Sequence, residues 1–259
     1  PQLPPTPGGE IGMLDRRTTL VLLGGAAGGL ASASALLPSG GGAHAEARPD
    51  LYDCEGCQAV GERAPGMLSA RVALAPPREP GERMFLTGRI FAADGKTPAP
   101  GVIVYAHHTN ARGLYADGTG ETEWSRRHGR LRGWAKTGAD GTYGFDTIKP
   151  APYPDRTMPA HVHLFIGEPG RRPYHVDDVV FDGEFGVTPA YRARQELRGG
   201  SGIVRLGRSE DGALLARRDI RLERHPDAAG GQPGAARSLL MPSLEGGRGQ
   251  QATTPSLLR

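Results

Sequence analysis

Runs of five to nine residues with a β-type pattern, separated by turn residues, recur through the middle of this chain and constrain its fold more than any other feature. They cover residues 84–92, 101–107, 133–137, 142–147, 160–166, 175–181, 203–208 and 214–222, with turn signals such as Ala93-Asp94-Gly95-Lys96, Asp140-Gly141 and Asp211-Gly212 between them. No stretch sustains a period of 3.6, and only residues 188–197 suggest a short helix. The pattern predicts an all-β fold, an antiparallel β-sandwich with long loops, in which the runs 84–92 and 101–107 pair directly. With 259 residues, 40 of them glycine and 23 proline, the chain has material for one sizeable core and many turns.

The ends differ from the middle. Residues 1–45 read as a leader and export signal: Met13 as the natural start, Arg16-Arg17, an apolar small-residue run over 20–37, and Ala43-His44-Ala45 as a small-x-small cleavage site. The paired arginines predict the twin-arginine route, hence a periplasmic or extracellular protein. A single membrane anchor is the alternative, but the run is short and rich in glycine and serine, so no stable membrane span is expected after processing. Residues 46–83 form an arm containing Cys54 and Cys57, and 84–225 the sandwich. Residues 226–259, poor in bulky side chains, read as a flexible tail. The two cysteines suit a local disulfide, with half a zinc site, free thiols or an intermolecular link as alternatives. The net charge of +3 is spread along the chain, with no basic stripe interleaved with aromatics, so nucleic acid is not an expected partner.

The chemistry concentrates in residues 153–163. On a strand, His161 and His163 share one face and Val162 takes the other. Tyr153, held by Pro152 and Pro154, sits in a stiff loop able to fold back towards them, and Tyr115 is a second loop tyrosine upstream. A plain surface or core role for the histidines is the bland reading. Phenolate, however, is a hard anionic donor with a free pKa of about 10, held deprotonated at neutral pH only by a strongly Lewis-acidic ion. Two imidazoles with two phenolates therefore point to iron(III) rather than zinc.

The segment containing Gly133-Trp134, Asp140-Gly141-Thr142-Tyr143-Gly144-Phe145, the run from Thr147 to Pro154, and Pro159-Ala160-His161-Val162-His163 resembles the intradiol ring-cleavage dioxygenases, the catechol and protocatechuate 3,4-dioxygenase group. Cys54-Glu55-Gly56-Cys57 and Arg126-Arg127-His128-Gly129 are similar to an exported branch of that family. The resemblance implies a β-sandwich with long active-site loops and an iron(III) cofactor held by Tyr115, Tyr153, His161 and His163. Tyr115 would stay on the metal, while Tyr153 would leave it when substrate arrives, and either the displaced Tyr153 or a metal-bound hydroxide would accept a substrate proton. The implied reaction opens a catechol-type ring between its hydroxyl-bearing carbons with dioxygen, giving a cis,cis-muconate-type product. Homodimers are common in the family, with residues 46–83 a candidate interface arm.

One position departs from the family pattern. An arginine usually precedes Pro-Ala-His, and here it is Met158. Arg156 is the expected substitute source of charge for catalysis, with Arg127, Arg130 and Arg132 as others. His107 and His108 are expected near the Tyr115 loop without ligating, Trp134 is expected to pack, and of Asp177 and Asp178 one is expected to be solvated. Two further functions stay open: a non-catalytic secreted β-sandwich binding module, and a zinc or copper hydrolase or oxidase at the His-x-His site.

Overall fold

A computed structural model describes residues 47–115 and 120–226. The expected leader at 1–45, and all but the first residue of the expected tail at 226–259, lie outside the described residues. The strands are β1 Arg71–Ala73, β2 Arg83–Phe91, β3 Ile103–His108, β4 Arg132–Lys136, β5 Thr142–Ile148, β6 His161–Gly167, β7 Tyr174–Phe181, β8 Ile203–Val204, β9 Leu206–Arg208, β10 Leu214–Arg217 and β11 Ile220–Arg221. Two short helices interrupt them, α1 Glu123–His128 and α2 Pro189–Ala193.

The strands make two mixed sheets. One runs β1-β5-β2-β10-β9 with β11 also on β2; the other runs β4-β3-β6-β7-β8. β2 with β5, β9 with β10, and β3 with β4, β3 with β6 and β6 with β7 are antiparallel, while β1 on β5, β10 on β2, β11 on β2 and β8 on β7 are parallel. The expected direct pairing of 84–92 with 101–107 is not what forms: β2 and β3 belong to different sheets. After β2 the chain turns at Asp94, whose carboxylate accepts from the backbone N–H of Lys96 and Thr97, and Gly101 N–H then bonds Thr137 O as the chain enters the second sheet. A tight turn is visible in sequence; which sheet the next strand joins depends on long-range burial. The expected helix over 188–197 is shorter, α2 with Thr188 as its N-cap. α1 was not expected from periodicity; Thr122 and Ser125 cap it reciprocally.

Alternation along each strand decides what is buried where. On β2, Met84, Leu86 and Ile90 face inward, and on β6 Val162, Leu164 and Ile166 do the same against Val104, Ala106 and Phe145. The other face of the second sheet carries Tyr105, His107, Trp134, His161, His163 and Phe165. A short helical segment, Cys57–Glu62, covers part of it through Ala59 and Val60. The arm is thus part of the sandwich, and β1 adds an edge to the first sheet. No helix among the described residues is long and apolar enough to cross a membrane.

Candidate metal centre

His161 and His163 stand on the covered outer face of β6, across from His107 on β3. Two loops bring the tyrosines to them. Asn110 Oδ1 accepts from the backbone of Arg112 and Leu114 and shapes the turn that delivers Tyr115. Gly113, at φ 77°, lies where a Cβ would meet Pro152 O at 2.0 Å, so only glycine lets this loop press against the Tyr153 loop.

The donor atoms converge. Tyr115 Oη lies 2.8 Å from Tyr153 Oη and 3.0 Å from His163 Nε2, and His161 Nε2 lies 3.1 Å from His163 Nε2. Each imidazole is oriented from behind: His161 Nδ1 donates to Pro159 O at 2.8 Å, and His163 Nδ1 to Asp178 Oδ1 at 3.0 Å. With Nδ1 carrying the proton, both Nε2 lone pairs point into the cluster. Two bare nitrogens so close repel each other unless positive charge lies between them.

The electrostatics agree with a cation site. Burial pushes the phenol of Tyr115 well above its ordinary pKa and raises that of Tyr153 as well. Neither ionises at neutral pH without a strong Lewis acid. Burial lowers His161, keeping it neutral and able to ligate. Burial also opposes the charge on His163, but the Asp178 carboxylate outweighs it and raises that imidazole. The donor set of two phenols and two imidazoles, with the proton-bearing nitrogens already bonded, fits iron(III). Atoms of His161, His163 and Asp178 also lie within 4.8 Å of one another, the composition of a two-histidine, one-carboxylate site. Asp178, though, holds Nδ1 of His163, away from the Nε2 side where Tyr115 and His161 meet.

Asp178 was not expected from the sequence as a partner of this site. A β-bulge explains it: Val162 pairs with Val179 and Leu164 with Val176, so Asp177 and Asp178 together oppose His163. Both aspartates are half-buried and bonded, Asp178 to His163 and Asp177 to the backbone N–H of Leu197 and Arg198. The wall beside His163 is aromatic. His107 lies 4.5 Å from it, ring centre to ring centre, and stacks on His128 at 3.7 Å, while His128 Nδ1 shares a hydrogen bond of 2.7 Å with Tyr105 Oη. Burial lowers both pKa values, His128 to about 4, so the stack is neutral. Trp134 closes the cluster, donating from Nε1 to Ala59 O. Cys54 and Cys57 are disulfide-bonded in the loop behind it. His108 points away from the site, into contact with Thr147.

The arginines distribute unevenly. Arg127, Arg130 and Arg132 pair with Glu55, Glu79 and Glu62, which ties each of them to the protein itself. Arg156 is exposed, with its guanidinium 3.9 Å above the ring of Phe185, and does not contact the four donors. Met158 lies beside it on the same cavity wall.

Residues 63–190 match the protein family described as "Dioxygenase". Catechol 1,2-dioxygenase 1 of Acinetobacter lwoffii is 36% identical over 104 residues, 39% of this chain and 32% of that protein. Catechol 1,2-dioxygenase 2 of the same organism is 30% identical over 141 residues, 44% of this chain and 50% of that protein. The match therefore spans from a third to a half of the length of these relatives. Among solved structures, the dioxygenase domain of a dioxygenase carbohydrate-binding protein fusion from Streptomyces sp. SirexAA-E is 23% identical, covering 60% of this chain and 89% of that one with a TM-score of 0.44. Residues 63–190 of this chain are thus similar to the dioxygenase family and to these two catechol 1,2-dioxygenases.

Proposed function

We propose that this protein opens the ring of a catechol-type aromatic between its two hydroxyl-bearing carbons, using dioxygen and an iron(III) cofactor, to give a cis,cis-muconate-type product. The observation that carries this reading is the convergence of Tyr115 Oη, Tyr153 Oη, His161 Nε2 and His163 Nε2 through contacts of 2.8 to 3.1 Å. These four residues would hold the iron. When bound, it supplies the Lewis acidity that favours the catecholate form and draws electron density from the ring.

The rest falls to the chain's own groups. Tyr153, between Pro152 and Pro154, is the tyrosine on which burial weighs less, and is the donor able to swing away when a catechol arrives. Its phenolate, freed of the cation, regains a high basicity and takes a proton from a substrate hydroxyl at Oη. Tyr115 stays, braced by the Asn110 turn. Asp178 keeps His163 oriented, and the His107–His128 stack with Phe165 excludes water from that side. Arg156 supplies positive charge at the mouth, in place of the arginine the family carries where Met158 stands. Export through the leader and assembly as a homodimer belong to the same proposal.

Oxygen uptake by the iron-loaded protein against a panel of catechols tests it. The expected result is consumption of dioxygen with both atoms in a muconate-type product; absence of uptake with every catechol at full iron occupancy refutes it.

A further inference from the structure

On the Met158–Pro159 segment, whose Pro159 carbonyl holds His161, lies a cavity of about 360 Å³, lined in part by Arg156, Met158, Phe185, Tyr191 and Arg194. We infer that it receives the acidic end of an extended ring substituent, so that the preferred substrate is an ortho-dihydroxyphenyl acid whose carboxylate is set off from the ring. This inference rests on the catechol-cleaving reading above.

The charge of the cavity favours an anion. Two guanidinium groups line it and no carboxylate does. Acidic groups around it are already engaged: Glu184 with Lys149, Asp182 with Arg192 and Arg205, and Asp155 with Thr157. Asp177 and Asp178, which act on Tyr191, are engaged too, the first bonded to the Leu197–Arg198 backbone and the second to His163. Among the described residues, neither Arg156 nor Arg194 enters an ion pair.

Geometry adds direction. Arg156 adopts φ 54°, a left-handed conformation uncommon outside glycine, held by its N–H donating to Tyr153 O at 2.8 Å. Its guanidinium carbon then sits 3.9 Å from the ring centre of Phe185, and among the described residues no carboxylate pairs with it, so its N–H groups can meet a carboxylate of a ligand. Met158 and Phe185 add apolar surface to the same cavity as the two arginines.

The cavity and the metal centre share a wall. Pro159 lines the cavity, and its carbonyl accepts the His161 Nδ1 proton. None of Tyr115, Tyr153, His161 and His163 lines it. An anion seated there is separated from the reacting hydroxyls by the Met158–Pro159 segment, which calls for a spacer between ring and carboxylate rather than a carboxylate on the ring itself.

Two measurements on the protein as purified test this. Calorimetric titration with hydroxyphenylpropanoate and with its methyl ester, at low ionic strength, should show the acid binding about tenfold tighter or more, with the preference lost in Arg194→Glu. Arg194 is exposed, and an unchanged circular dichroism spectrum will show that the variant folds. Equal affinity for acid and ester, or a preference that survives Arg194→Glu, overturns the subsite. In turnover, Arg194→Ala should lower the ratio of kcat/KM for dihydroxyphenylpropanoate over catechol about tenfold, and an unchanged ratio overturns it as well. If acid binding depends on Arg194 but no catechol is cleaved, the anion site stands and the ring-cleavage reading fails.

Discussion

The Asp178 carboxylate grips His163 Nδ1 at 3.0 Å, because a bulge in β7 sets two aspartates opposite one histidine. The carboxylate fixes both the tautomer and the plane of that imidazole, so its Nε2 faces Tyr115 and His161.

Asp178→Ala should therefore weaken iron binding by roughly 10- to 100-fold, while Asp178→Asn, which keeps an acceptor oxygen, should lose less. Iron titration followed by competition with a chelator measures it. Equal affinity in all three proteins would remove Asp178 from the account.

Tyr115→Phe and His161→Ala should each lose most of the bound iron and with it ring cleavage, since each deletes one of four donors. Metal analysis of the purified variants decides it; full iron stoichiometry in both means that the ligand set is misassigned.

His108 gives a pH dependence of stability away from the four donors. Its Nδ1 donates to Thr109 O and its Nε2 accepts from Thr147 Oγ1, so the neutral ring is fully bonded. Burial lowers its pKa from 6.5 to about 4. The unfolded chain therefore takes up the proton first as pH falls: the stabilisation is complete above about 6.5 and is lost progressively down to about 4, amounting to about 3 kcal/mol. Urea unfolding across this window should be steeper in pH for the parent than for His108→Gln; identical slopes would contradict the assignment.

Gly56 connects the disulfide loop to the aromatic wall. It sits at φ 91°, and a Cβ there would come within 3.1 Å of His128 Cε1. Gly56→Ala should destabilise the fold by about 1–2 kcal/mol, from the left-handed backbone together with the crowding, and leave iron stoichiometry intact. Thermal unfolding with metal analysis checks both parts.

Much of this was legible in the residues. The alternating runs mark the strands, and the His-x-His spacing with its proline-held tyrosine marks the place where Tyr115, Tyr153, His161 and His163 meet. The rest depends on distant partners. Nothing local to residues 92–102 says that β3 joins the other sheet, and nothing in Asp177-Asp178 announces a bulge. Arg127, Arg130 and Arg132 looked available until the fold set a glutamate beside each, whereas the stacking of Arg156 on Phe185 joins residues far apart in the chain.

The most direct test of the central claim is the visible spectrum of the iron(III)-loaded protein. Phenolate donation from Tyr115 and Tyr153 should give a red-brown charge-transfer band that shifts when catechol is added without oxygen and weakens in Tyr153→Phe. An iron-replete protein that stays colourless would contradict the account.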